Sequence, residues 1–166
     1  MKIYTFKNKE RELKVVFIVL FILEIIACYY AYYTLGEVKQ MFLYFILFLN
    51  IIPIILFFFK LKTASLIVGG IIALLLIPNQ VLLLSKWSYL KKESLEIHAY
   101  ICQYKKLNDK FPDDIKAYEF KNKKLAKHFF YDKKDVDNFG LQYHIGTKGT
   151  THFYNHKHGK WSYYPD

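Results

Sequence analysis

The sequence predicts a chain in two parts. The first is an integral membrane region of three transmembrane α-helices. The second is a small α+β extracytoplasmic domain with an antiparallel three-stranded sheet. Three observations predict this. Apolar runs of bilayer length fill the first half. Apolar and basic residues are segregated: 54% of the 166 residues are hydrophobic, yet mean hydropathy is only +0.08. Residues 1–85 hold 8 of the 24 Lys and Arg, whereas residues 86–166 hold the rest and all six His. Finally, the hydrophobic period changes from helical steps to strict alternation toward the C-terminus. This length admits one or two small domains. It leaves no room for a large enzyme domain, and the segregation excludes a simple soluble globule.

The membrane region is assigned to 1–85, with spans at about 15–35, 41–59 and 64–84. Crossing about 30 Å of hydrocarbon takes about 20 apolar residues. The connections at 36–40 and 60–63 suit tight turns between antiparallel neighbours. Lys2, Lys7, Lys9, Arg11 and Lys14 crowd the first segment, Lys60 and Lys62 the second loop, while Lys39 in the first loop is offset by Glu37. By the positive-inside rule the N-terminus and second loop are cytoplasmic, and the first loop and 86–166 lie outside. Tyr29, Tyr30, Tyr32 and Tyr33, with Trp87 and Tyr89, then form a belt at the outer interface. Ile25-Ile26-Ala27-Cys28 loosely resembles a lipoprotein processing site. Glu24 and the tyrosines after Cys28 argue against processing, and the long apolar stretch argues for a retained span.

Two polar residues stand near the middle of their spans, Glu24 in the first and Asn50 in the second. An ionisable group in hydrocarbon is costly and therefore a functional candidate. The expected role is a hydrogen bond between Glu24 and Asn50 that joins two helices. The alternative is a proton or ion path, which needs polar partners at several depths; only Pro78-Asn79-Gln80 offers any. Gly69-Gly70 is expected to allow close helix approach, and Pro53 and Pro78 to bend their helices.

In 86–166, Trp87, Leu90, Ile97, Ile101 and Tyr104 recur at helical spacing, so a helix continues from the third span. Lys91, Lys92, Glu93 and Glu96 fall on its other faces. It ends near Asn108-Asp109. A second helix, opened by Pro112-Asp113-Asp114 with early carboxylates suited to a helix N-terminus, is expected to run to about Phe130, with a break near Asn122 as the alternative. Leu141, Tyr143 and Ile145 then alternate with Gln142 and His144, and further strands are expected at 151–155 and 161–164. Turns fall at 146–149 and His158-Gly159.

Two segments resemble a known family. Tyr104-Lys105-Lys106-Leu107-Asn108-Asp109-Lys110-Phe111-Pro112 and Asp137-Asn138-Phe139-Gly140-Leu141-Gln142-Tyr143 look like segments of the type II secretion pseudopilins. The resemblance covers about 78–164; pseudopilins have one membrane helix, so the three-span half lies outside it. It implies a helix packed on a small antiparallel sheet, and a calcium site involving Asp132, Asp135 and Asp137. An EF-hand is excluded from the residues themselves. In the stretch starting at Asp135, Phe139 falls where an oxygen is required and Gly146 where the closing Glu belongs.

Other candidate chemistry is sparse. His156 and His158 are expected at strand spacing on one face, near His144 and His152, as a surface copper, nickel or zinc site or else a solvated hairpin. His98 and Cys102 lie one helical turn apart, as a nucleophile–base pair or as core. Cys28 and Cys102 fall in different halves and form no internal disulfide. No catalytic motif appears, so no enzyme activity and no cofactor beyond the calcium candidate are expected. The basic residues are scattered and carry no nucleic-acid signature; external lysines suit anionic lipid or an acidic partner. The expectation is a multi-pass protein of a bacterial inner (cell) membrane, presenting a protein-binding domain outside the cytoplasm, in envelope assembly or secretion. The alternatives are a membrane immunity protein that neutralises an antibacterial toxin, and a small ion or solute carrier.

Overall fold

A computed structural model describes residues 2–35, 39–146 and 150–164, with side chains from residue 11 onward except those of 39 and 164. Most of the expected first loop, 36–38, and most of the expected turn, 147–149, lie outside the described residues. The chain divides into two compact units, one of 1–32 with 37–82 and one of 33–36 with 83–166. The helices are α1 (Lys2–Leu35), α2 (Lys39–Phe58) and α3 (Lys62–Asn108). The strands are β1 (Phe129–Lys133), β2 (Phe139–His144), β3 (Thr151–Asn155) and β4 (Lys160–Tyr164).

In the first unit all three helices are long and apolar enough to cross a membrane. Their surface inverts the pattern of a soluble bundle. Phe48, Phe58 and Leu74 are 70%, 79% and 73% exposed, while Glu24, Asn50, Ser65 and Gln80 are buried. Buried polar side chains bond between helices. Asn50 donates from Nδ2 to Glu24 Oε2 and to the Ile46 carbonyl, and Ser65 Oγ donates to the Pro53 carbonyl at 2.6 Å. Of the two glycines, only Gly69 is a close-approach position. A methyl there would stand 3.4 Å from the Phe17 ring, whereas at Gly70 it would meet nothing. The backbone reverses after α2 through Lys60, held at φ 62°.

The second unit is an antiparallel sheet of order β1-β2-β3-β4 packed on the C-terminal part of α3. It has four strands where three were expected. The additional strand, β1, occupies the end of the expected second helix. Phe129 and Tyr131 point inward and Phe130 and Asp132 outward, a two-residue alternation that a helix cannot satisfy. The rest of that expected helix is absent as well. Residues 113–122 form no regular element. Only Lys123–His128 makes a short 3₁₀ stretch, capped by Asn122, whose side chain accepts from the Lys124 N–H. The apolar residues there, Ile115, Tyr118, Phe120 and Leu125, each reach the core singly rather than as a helical stripe.

The core joins Leu90, Ile97 and Ile101 of α3 to Phe111, Phe129, Phe139, Leu141, Tyr143 and Ile145. Helix α3 ends at Asn108, followed by Asp109 in the left-handed region at φ 55°. Glu93, expected on a face of α3 other than the apolar stripe, is nonetheless buried. It is 2% exposed, and its Oε1 accepts from the Tyr118 hydroxyl at 3.2 Å and the Lys121 N–H at 3.1 Å. Neighbouring Glu96 pairs with the Lys121 ammonium.

Candidate functional site

Two surfaces of the second unit bring chemistry together. The first is the outer face of the sheet. Strand register places Phe130, Gln142, Phe153 and Ser162 in one cross-strand row, on the face opposite the core. Phe130 and Gln142 are exposed. Beside them lies a shallow depression of about 350 Å³, reaching Asp132, Asn138 and Asn155.

The second surface is a cleft of about 370 Å³ between α3 and the inner face of β3 and β4. Its walls are rings. Tyr33 stacks on Trp87 with centroids 5.1 Å apart and planes at 14°. His152 stacks on Tyr143 at 4.9 Å and 6°, and meets Tyr163 at 4.6 Å. Register explains the grouping: Tyr143, His152 and Tyr163 are direct neighbours across β2, β3 and β4. Burial pushes the His152 imidazole down to about 4, so it is neutral near pH 7. Its Nε2 lies 3.4 Å from the Tyr33 carbonyl. The Lys91 ammonium sits 5.3 Å from the centre of the Trp87 ring.

The metal candidates are dispersed. Asp132 lies in β1 opposite Gly140. Asp135 Oδ1 accepts from the Asp137 N–H, an ordinary capped turn. Asp137 pairs with Lys105 at 2.7 Å, and that hydrogen bond holds its carboxyl below the usual range. His156 and His158 do not share a strand face as expected. They occupy a 3₁₀ turn, closed by Gly159 at φ 61°, because Asn155 accepts from the His158 N–H and curls the chain. His156 turns inward against Phe111 and Phe139, while His158 is exposed. Among the described residues, no three His, Cys, Asp or Glu side chains are grouped to hold a metal ion.

His98 and Cys102 do meet, with Nε2 3.6 Å from Sγ. Burial pushes the thiol up and the imidazole down, so both are neutral near pH 7. Glu24 and Asn50 meet within the first unit as described. Sequence reasoning missed the aromatic cleft. Its rings come from the end of α1, the middle of α3 and three strands, and only the strand register makes them neighbours.

Compared with known proteins, the chain matches no family model, no curated protein and no solved structure. The pseudopilin resemblance therefore rests on its two short segments alone.

Proposed function

We propose that this chain is a non-enzymatic, multi-pass protein of a bacterial inner membrane, which presents its second unit outside the cytoplasm to a protein partner. Envelope assembly or secretion is the process to which the pseudopilin-like segments point. The observation that carries the reading is the outer sheet row. Phe130 is 45% exposed on a face turned away from the core, beside Gln142 and Phe153. An exposed aromatic beside a half-buried one, edged by polar groups on a sheet, has the composition of an interface centre. The inverted polarity of the first unit supports the membrane assignment.

The test is crosslinking and co-purification of the full chain from native membranes, alongside Phe130→Asp and Phe153→Asp. The expected result is an envelope protein retained by the wild type and depleted about tenfold by either substitution. Equal retention by both variants would overturn the assignment of the face. Capture of a toxin alone, with deletion strains killed only in mixed culture, would identify an immunity protein instead.

A further inference from the structure

The aromatic cleft plays no part in that reading, and its chemistry is of another kind. Its volume of about 370 Å³ falls in the range of small-ligand sites. Among the described residues, no carboxylate and no side-chain amide lines it. Lys91 stands at its wall with its ammonium over Trp87, and makes no ion pair among the described residues. Among the described residues the charge balance of the cleft is therefore positive.

That balance sorts the possible guests. A cationic group suits ring faces in general, but here Lys91 already holds the Trp87 face and no acid offsets it. A sugar stacks on rings, yet it relies on planar amides and acids for its hydroxyls, and the lining has none. An anionic group meets Lys91 as a charge-assisted donor, with the neutral rings excluding water around it.

Position in the chain narrows the guest further. Tyr33 stands two residues before the end of α1, at the close of its apolar stretch. Trp87 follows the apolar run of α3, which ends at Leu84, by less than one helical turn. Tyr and Trp at the ends of membrane-spanning helices lie at headgroup level. A phosphate attached to a lipid is then already at the depth of the cleft, and the rings stack against its glycerol and upper chain.

We propose that the cleft bounded by Tyr33, Trp87, Lys91, His152, Trp161 and Tyr163 binds the phosphate headgroup of an anionic phospholipid, with Lys91 as the phosphate contact. The proposal rests on the membrane assignment of the first unit. Inorganic phosphate shares the contacting chemistry, so the test separates the two sources.

The full chain is first tested for resistance to alkaline extraction from membranes. It is then placed in nanodiscs of equal parts phosphatidylcholine and phosphatidylglycerol, and the lipids retained on its release are counted by native mass spectrometry. The wild type should keep one phosphatidylglycerol per chain. Lys91→Gln should lower that occupancy about fivefold, the effect of one interfacial lysine, and Lys91→Arg should restore it. Lys116→Gln, which alters a lysine outside the cleft that pairs with Asp114, should change nothing. Trp161→Ala, which opens the wall without altering charge, should also weaken retention of the phosphatidylglycerol.

Release of the chain by alkali would overturn the membrane assignment and this proposal together. A membrane-embedded chain whose retained lipid is indifferent to Lys91 would overturn the proposal alone. So would displacement of the lipid by millimolar inorganic phosphate with the same Lys91 dependence, which would make free phosphate the ligand.

Discussion

Glu93 offers the sharpest test of how the second unit holds its irregular segment. Residues 113–122 have no ladder of their own, and Glu93 ties them to α3 through the Tyr118 hydroxyl and the Lys121 N–H. Burial and the adjacent Glu93 charge push the Tyr118 hydroxyl well above its ordinary value, which keeps it a donor at any physiological pH. Hydrogen bonds to a charged acceptor contribute about 1.5–3 kcal/mol each. Lys121 is exposed, so water replaces part of its bond. Glu93→Ala should therefore cost at least about 2 kcal/mol, and Tyr118→Phe about 1.5 kcal/mol. The double variant should cost less than the sum, because the two substitutions break one shared bond. Two kcal/mol corresponds to about 30-fold faster local opening. Amide hydrogen exchange on the full chain in micelles reads this directly. Peptides covering 115–125, which include the Tyr118 and Leu125 N–H groups bonded to Ile115 and Asn122, should exchange faster, while β2 should not. Unchanged exchange at 115–125 would refute the argument. Equal acceleration in β2 would show that Glu93 supports the whole unit rather than this segment.

Three further outcomes are expected. A phosphatase reporter active only outside the cytoplasm should be active after Asp166 and silent after Lys62; the reverse pattern would refute the orientation drawn from Lys placement. Glu24→Gln keeps a hydrogen-bonding shape opposite Asn50 and should leave membrane abundance and thermal stability within about 1 kcal/mol, whereas Glu24→Leu strands Asn50 and should cost about 1–2 kcal/mol in a micelle melt; loss of function in Glu24→Gln at normal abundance would point to a proton role. His152 binds its proton less readily folded than unfolded, so its effect on stability is absent above pH 6.5 and grows as pH falls toward about 4, reaching about 3 kcal/mol; His152→Phe should remove that part of the acid sensitivity, and a parallel pH profile for both proteins would contradict it.

Much of the architecture was legible because it depends on long, periodic signals. The apolar runs set the three helices, and Leu90, Ile97 and Ile101 marked the buried stripe of α3. Glu24 and Asn50 were paired from depth alone, since two polar groups at matching levels of neighbouring helices have few other partners. The second helix failed for a local reason. Asp113 and Asp114 looked like an N-terminal turn, yet Lys133 pairs with Asp113, and Asp114 accepts from the Lys116 N–H two residues on. Such short-range bonds compete with a helix rather than starting one. Phe129-Phe130-Tyr131 reads equally well in either period until β2 is there to pair with it. The turn at His156 and His158 is not visible in the period, because the side chain of Asn155, the last residue of β3 and one position before His156, curls the backbone. The cleft was hidden because stacking depends on register across three strands.

The sheet order has a consequence for how copies of this chain tolerate one another. Among the described residues β1 and β4 each pair with a single neighbouring strand, so each leaves one edge row that no other strand of the sheet pairs. Such rows invite strand addition by another molecule, and under the membrane assignment proposed above copies held in one bilayer would meet at high lateral density. Both rows are only five residues long, and each carries a lysine at one end, Lys133 on β1 and Lys160 on β4. Short length and terminal positive charge are two of the devices that stop sheets from fusing edge to edge. Replacing the exposed Lys160 with a β-branched apolar residue would leave the core and the Lys133–Asp113 pair in place and make the population more prone to polymerise.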